Sequence, residues 1–359
     1  MKIICLARSL DTGGAERQLT GLAAMLKDDG HDVTMVTYHD GAFFDDLLYE
    51  HGVRHIQVRK RATTLALDIR LASLIKKEGA ELVIAFSSSA GRKACGAKLF
   101  YRDFRLIVSE RNANPKLNIF DGYRMLVWGF AEKIISNSYA QEAILKKHFP
   151  RRGARVSTIV NFVDTATFSP MEQDVHERFV LATTARICKR KNIHGYIRAV
   201  QIAAARGYRP LVLWYGVKRD SKYLRKCMAM IQEAGLEGDF KILPAEKNVK
   251  EIYRRCDAFC LPSFYEGTSN SLTEALACAR PAICSNVSDN PLYVRESETG
   301  ILFDPRDPES IADAICRMMD LSPEERMAYG LKGSELVRKA LDPEVFHAKY
   351  RALIEDNGN

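Results

Sequence analysis

The sequence lacks any run of roughly 18 consecutive apolar residues, so no segment reads as a membrane-spanning helix. Its start, MKIICLARSL, passes straight into a strand-like pattern, with no apolar leader core and no small-residue cleavage site. The expected location is therefore the cytoplasm. Low-complexity tracts and repeats of solenoid length are missing as well. Cysteine is present but unorganised: the nine residues are odd in number, and the one close pair, Cys256 and Cys260, has no second pair or His cluster after it. A disulfide framework and a zinc module are both excluded, which leaves buried, reduced thiols. No Asp-x-Asp occurs, so that arrangement for holding a divalent cation on a diphosphate is absent, and no metal or cofactor is expected. Nor do aromatic and basic residues interleave in the way that stacks bases, which argues against nucleic acid as a partner.

What the chain does have is size and apolar content. At 359 residues, 47% hydrophobic and 27% charged, it can bury two cores and is too apolar to be disordered. The net charge of +8 is uneven: residues 1–170 hold 25 Lys and Arg against 18 Asp and Glu, and the remainder 28 against 27. The excess clusters as Arg59-Lys60-Arg61, Arg92-Lys93, Lys146-Lys147 and Arg151-Arg152. Such clusters form either an ordinary solvated face or a surface attracted to anions, such as a membrane leaflet.

Short apolar or β-branched runs alternate with amphipathic helical stretches. KIICLA, VTMVTY, LVIAF, RLIVS, KIISNS and RVSTIV precede residue 161; FVLATTA, LVLWYG, FKILP, AFCLPS, PAICSN and GILF follow it. Continuous apolar strands between helices predict parallel sheets covered on both faces, here two doubly wound α/β domains. The break falls in NFVDTATFSPMEQD, which loses periodicity and carries a proline. The expected limits are 1–168 for a basic N-terminal domain and 175–340 for a second domain, with a C-terminal helix in 341–359 packing back towards the first. Sheets of this kind bind ligands beyond the carboxyl ends of their strands, so a two-domain version places its site in a cleft.

The stretch PSFYEGTSNSLTEALA, residues 262–277, sets Glu266 and Glu274 around a run of small polar residues. AFCLPS reads as a strand, FYEGTS as the loop at its carboxyl end, and Leu272, Ala275, Leu276 and Ala279 as the buried stripe of a helix starting near Asn270 or Ser271. A helix N-terminus there suits a phosphate or sugar hydroxyls, and Gly267 lets the backbone approach closely. Ser271-Leu272-Thr273-Glu274 also fits a capping box, which would tie Glu274 to its own helix. A second segment, ATTARICKRKN, brings Arg186, Lys189, Arg190 and Lys191 to a strand's carboxyl end, and Arg186 with Lys191 could hold a diphosphate. Gly13-Gly14 in DTGGAERQL opens the first helix, without the GxGxxG spacing.

Together these segments resemble family 4 of the retaining, nucleotide-sugar-dependent glycosyltransferases, over essentially the whole chain: GGAER, ISNS, IVNFVD, ARICKRKN, PSFYEGTSNSLTEALACARPAICSN and TGILFDPRDPESIADAI. The resemblance implies the GT-B fold, two Rossmann-like domains facing across a cleft with the donor held by the second. It puts Arg186 and Lys191 on the diphosphate, Glu266 near the transferred sugar and Glu274 on the ribose. Gly13, Gly14, Gly216, Leu243, Gly267, Thr268, Ser269, Asn270, Ser271 and Leu272 complete the expected donor lining, and Glu110, Arg111 and Asn161 the sugar or acceptor side. The implied partners are a nucleotide-diphosphate sugar, expected to be a UDP-sugar, and a lipid-linked glycan acceptor at the inner face of a membrane. The chain departs from the family at Ala185, Pro244 and Ala279, where glycines are usual, and at Ser109-Glu110-Arg111, where many members have a His. A nucleotide-sugar epimerase and a non-catalytic nucleotide- or sugar-binding module remain as alternatives.

Overall fold

The computed structural model describes residues 1–11, 13–58, 64–111, 117–217 and 220–356. Thr12, the Arg59-Lys60-Arg61 cluster and the part of SERNANP at 112–115 lie outside the described residues. The chain forms two units, Met1–Asn161 with the segment from Phe346 onward, and Phe162–Val345. The division thus falls earlier than residue 168. Residues that read as linker are tied to the second unit, with the Val163 amide donating to the Leu341 carbonyl at 2.9 Å and Asp174 to the Arg254 carbonyl at 3.1 Å.

In the first unit β1 (Lys2–Leu6), β2 (Asp32–Thr37), β3 (Arg54–Gln57), β4 (Leu82–Phe86), β5 (Arg105–Glu110), β6 (Lys133–Ser136) and β7 (Val156–Thr158) form one parallel sheet in the order β3-β2-β1-β4-β5-β6-β7. β4 is buried at every position, which is why its sequence, LVIAF, has no polar alternation. The half-buried edge strand β3, RHIQ, has no apolar run to announce it. Beneath β5 and β6 the core contains Trp128, Met125 and Leu145. The C-terminal helix Pro343–Glu355 supplies Tyr350, whose ring centroid is 6.2 Å from that of Phe86.

The second unit repeats this winding. β8 (Val180–Thr184), β9 (Leu211–Val217), β10 (Phe240–Pro244), β11 (Ala258–Leu261), β12 (Ala282–Ser285) and β13 (Gly300–Phe303) are parallel in the order β10-β9-β8-β11-β12-β13. Tyr196, Trp214 and Phe240 fill one face of the sheet. In both sheets the order reverses beside the first strand, creating a switch point between β1 and β4 and another between β8 and β11. Crossovers leave in opposite directions there, so the loops at the strands' carboxyl ends part and leave room for a ligand. All nine cysteines are unpaired, and burial pushes the Cys5, Cys256 and Cys260 thiols up to about 12.

Candidate active site

Two loops leave the second switch point. After β8 the Ala185 amide donates to the Tyr215 carbonyl at 3.0 Å, and the Ala185 carbonyl accepts from Trp214 Nε1 at 2.7 Å. Gly216 permits this approach, because a Cβ there would fall 1.8 Å from the Ala185 oxygen; the neighbouring register slips at Leu243 and Pro244, with Gly216 left unpaired. Arg186 therefore leaves from pinned backbone. Its side chain is exposed and makes no hydrogen bond or ion pair among the described residues. The chain then tightens into a single turn, Lys189–Lys191. It enters the helix Ile193–Ala205 through left-handed Asn192, whose amide group donates to the Pro305 carbonyl at 2.7 Å.

The loop after β11 is stitched to this one. Phe264 donates its amide to the Arg190 carbonyl at 2.9 Å, and the Arg190 guanidinium lies 5.7 Å from the Tyr265 ring centroid. The Glu266 amide donates to Ser288 Oγ at 3.3 Å. Lys191 Nζ then meets Glu266 Oε1 at 2.5 Å, with both side chains buried. The sequence assigned these residues to different parts of a ligand; the fold brings them into one ion pair. Burial by itself would raise the Glu266 carboxyl, but Lys191 and Arg190 outweigh it and hold the group below the usual carboxylate range. One ammonium proton is engaged with Glu266, which leaves Lys191 two further donors.

Gly267, Thr268 and Ser269 are buried, and the helix runs from Asn270 to Ala277 with Ser269 at its N-cap and no side-chain cap. Ser271 is thus already helical, and the capping-box alternative for Glu274 falls away. Glu274 is buried, and its Oε2 lies 3.1 Å from the Tyr253 hydroxyl, which also reaches the Ser271 carbonyl at 3.2 Å. Tyr253, wholly buried on the helix Val249–Arg254, anchors this carboxylate beside the helix N-terminus. On the β9–β10 side a cavity of about 230 Å³ is lined by Tyr215, Glu246, Asn248, Glu251, Ile252 and Arg255, with half-buried Leu243 at the end of β10.

A second cluster sits at the carboxyl ends of the first sheet. Gly13 and Gly14 begin the helix Gly14–Asp28 after β1, and the Glu16 carboxylate folds back over Gly13. Fully buried Glu110 pairs with Arg124 Nη1 at 2.8 Å and has Ser88 Oγ 3.2 Å from both its oxygens. Arg111 donates to Asn161 Oδ1 at 2.5 Å and to Ser109 Oγ at 3.2 Å, and lies over the Phe86 ring. Burial lowers the Arg111 pKa from its usual value. The sequence reading did not single out Tyr253, Ser288, Ser88 or Arg124. A signal existed only for Ser88, in the small polar run directly after LVIAF. No cluster of three or more His, Cys, Asp or Glu side chains that could hold a metal ion occurs among the described residues.

Two family patterns match adjoining parts of the chain: "Glycosyltransferase Family 4" over residues 12–167 and "Glycosyl transferases group 1" over 166–335. The chain belongs to glycosyltransferase family 4. This glycosyltransferase is 22% identical, over 87% of its length and 88% of the relative's, to the N-acetylgalactosamine-N,N'-diacetylbacillosaminyl-diphospho-undecaprenol 4-alpha-N-acetylgalactosaminyltransferase of Campylobacter jejuni. It is 24% identical, over 82% of both chains, to the UDP-Gal:alpha-D-GlcNAc-diphosphoundecaprenol alpha-1,3-galactosyltransferase of Escherichia coli. Among solved structures, Anabaena HepE in complex with UDP-glucose superposes with a TM-score of 0.86 at 18% identity, covering 99% of this chain and 100% of that one. A Rickettsia africae glycosyltransferase gives 0.84 at 14%, covering 100% and 99%. The fold of the glycosyltransferase is GT-B.

Proposed function

We propose that this glycosyltransferase moves a sugar from a UDP-sugar to a hydroxyl of a lipid-linked glycan with retention of anomeric configuration and without a metal ion. The observation that carries the reading is the second switch point, where the buried Lys191–Glu266 pair joins two loops, the second leading to the Asn270–Ala277 helix N-terminus, with exposed Arg186 two residues beyond β8. Breaking a sugar–phosphate bond builds negative charge on the departing diphosphate and positive charge on the ring. Arg186, with no partner among the described residues, and the two remaining Lys191 donors suit the diphosphate. Each is worth roughly 3 kcal/mol if an oxyanion donor is a fair guide. Glu266, held anionic, suits the cationic ring and its hydroxyls; Glu274, fixed by Tyr253, suits a ribose diol.

Retention follows if the acceptor hydroxyl attacks from the leaving-group face and gives its proton to the departing phosphate. Glu266 is engaged with Lys191, and in this scheme it orients the sugar and forms no covalent bond to it. The UDP and lipid-linked components draw on the diphosphoundecaprenol and UDP-sugar names of the relatives. The test is incubation with UDP-sugars and a synthetic polyprenyl-diphosphate glycan, with the anomeric configuration of the product read by NMR. An α-linked product from an α-linked donor is expected. Donor turnover with no acceptor present would favour an epimerase, and donor binding without any turnover a binding module.

A further inference from the structure

The helix Ile119–Val127 reverses the usual polarity of a surface helix. Its inward side carries Asp121 and Met125, and Arg124 reaches inward to both Asp121 (3.0 Å) and Glu110 (2.8 Å). Asp121 also accepts from the Asn118 amide at 2.8 Å in a capping box. Outward stand Ile119, Phe120, Tyr123 and Leu126, each between 58% and 84% exposed, with Phe130 exposed just beyond the helix. Their spacing lays them along one stripe. As an ordinary core helix, the segment would turn this stripe inward. Here Met125 and Trp128 anchor it, the charged residues pair internally, and folding gains nothing from four large apolar side chains in water.

Cations border the same stripe. The Arg152 guanidinium covers Gly129, where a Cβ would fall 1.8 Å from its Nη1, and Arg155 Nη1 donates to the carbonyls of Gly129 and Ala131, both at 3.2 Å. Arg151 and Lys147 are exposed close by in sequence. An apolar stripe ending in a basic rim complements an anionic bilayer: apolar side chains enter the acyl boundary, a Tyr hydroxyl stays at headgroup level, and the cations meet the phosphates. No helix among the described residues is long and apolar enough to cross a membrane, so the contact is with one leaflet.

We infer that the stripe Ile119, Phe120, Tyr123, Leu126 and Phe130, with Arg151 and Arg152 at its end, is the surface by which this glycosyltransferase docks on an anionic membrane; the choice of a bilayer rests on the lipid-linked reading of the acceptor. The experiment is co-sedimentation of the full chain with vesicles of phosphatidylcholine alone and of phosphatidylcholine with an equal part of phosphatidylglycerol. It compares the wild type with two double variants, Phe120→Ser with Leu126→Ser and Arg151→Glu with Arg152→Glu. The wild type should sediment with the anionic vesicles only, and less at 1 M salt, where the Debye length is about 3 Å. Arg151→Glu with Arg152→Glu should bind at least about 25-fold more weakly, given a contribution of roughly fivefold per basic residue at the surface, and Phe120→Ser with Leu126→Ser at least about tenfold more weakly through lost apolar burial, each with its thermal unfolding unchanged. Wild-type protein that stays in the supernatant, or variants that bind as it does, would overturn the inference. So would a dimer, seen by sedimentation velocity, that Phe120→Ser with Leu126→Ser dissolves. Transfer to a short-chain acceptor in detergent separates the two readings: its failure with vesicle binding intact counts against the transferase scheme alone.

Discussion

Lys191 Nζ lies 2.5 Å from Glu266 Oε1, joining loops 75 residues apart in sequence at the point where the second sheet reverses its strand order. A buried pair of this kind is costly to break from one side, because the partner is left charged and unsolvated. Lys191→Met should therefore destabilise the protein by about 3–5 kcal/mol at neutral pH. The pH dependence then gives the sign. In the wild type the folded Glu266 pKa lies below the ordinary carboxylate value, so its contribution is complete above the unfolded pKa and is lost as pH falls through the folded one. Without Lys191 burial dominates, the folded pKa rises, and the variant should gain stability on mild acidification while the wild type does not. Thermal unfolding followed from neutral pH downward distinguishes the two, and parallel curves would show that the pair is not coupled to folding.

Glu274 makes no capping box, so its substitution should act on the donor more than on the helix. Glu274→Ala should weaken nucleotide-sugar binding by about 1.5–3 kcal/mol, the usual range for hydrogen bonds to a charged group. Tyr253→Phe removes only the hydroxyl that orients the carboxylate and should cost about 0.5–1.5 kcal/mol, seen in donor KM more than in kcat. Calorimetric titration measures both. A lower melting temperature with unchanged donor affinity would return Glu274 to a structural role.

The metal-free scheme has its own test. With Arg186 and Lys191 neutralising the diphosphate, transfer should survive excess EDTA with little change in rate. Complete loss that Mn²⁺ restores would show that the cations do not carry that charge.

How far the sequence revealed all this depends on how locally each feature is encoded. β4 and β11 were legible because strands buried on both faces are apolar throughout, whereas β3, an edge strand with exposed Arg54, resembles a loop. Glu266 and Glu274 could be named from their motif, since the strand, loop and helix that place them are contiguous. Their pairings could not: Lys191, itself named from ARICKRKN as a diphosphate ligand, and Tyr253, which reads locally as part of an ordinary helix, reach the two carboxylates only through the topology. The Ile119–Val127 helix shows a different limit. Periodicity reveals that an apolar stripe exists but not which way it faces, and here the capping box and the Arg124 ion pairs turn it outward.

The last prediction concerns Ala279, where the family usually has glycine. The helix Asn270–Ala277 ends in a Schellman motif: Ala279 donates its amide to the Leu276 carbonyl at 2.8 Å, and Arg280 to the Ala275 carbonyl at 3.0 Å. That motif needs a left-handed residue, and Ala279 supplies it with φ at +58°. Holding an alanine there costs roughly 1–2 kcal/mol, whereas changing it to glycine adds backbone freedom to the unfolded chain worth about 0.4–1 kcal/mol. The strain is the larger effect, so Ala279→Gly should stabilise the protein by about 0.5–1 kcal/mol. Because the residue closes the helix that presents Glu274 and the N-terminal amides, donor affinity should stay the same. Urea unfolding at constant m-value reads the stability. A midpoint that does not rise would mean that Ala279 is held there without strain, and a rise accompanied by weaker donor binding would mean that the strained turn helps to set the position of the helix.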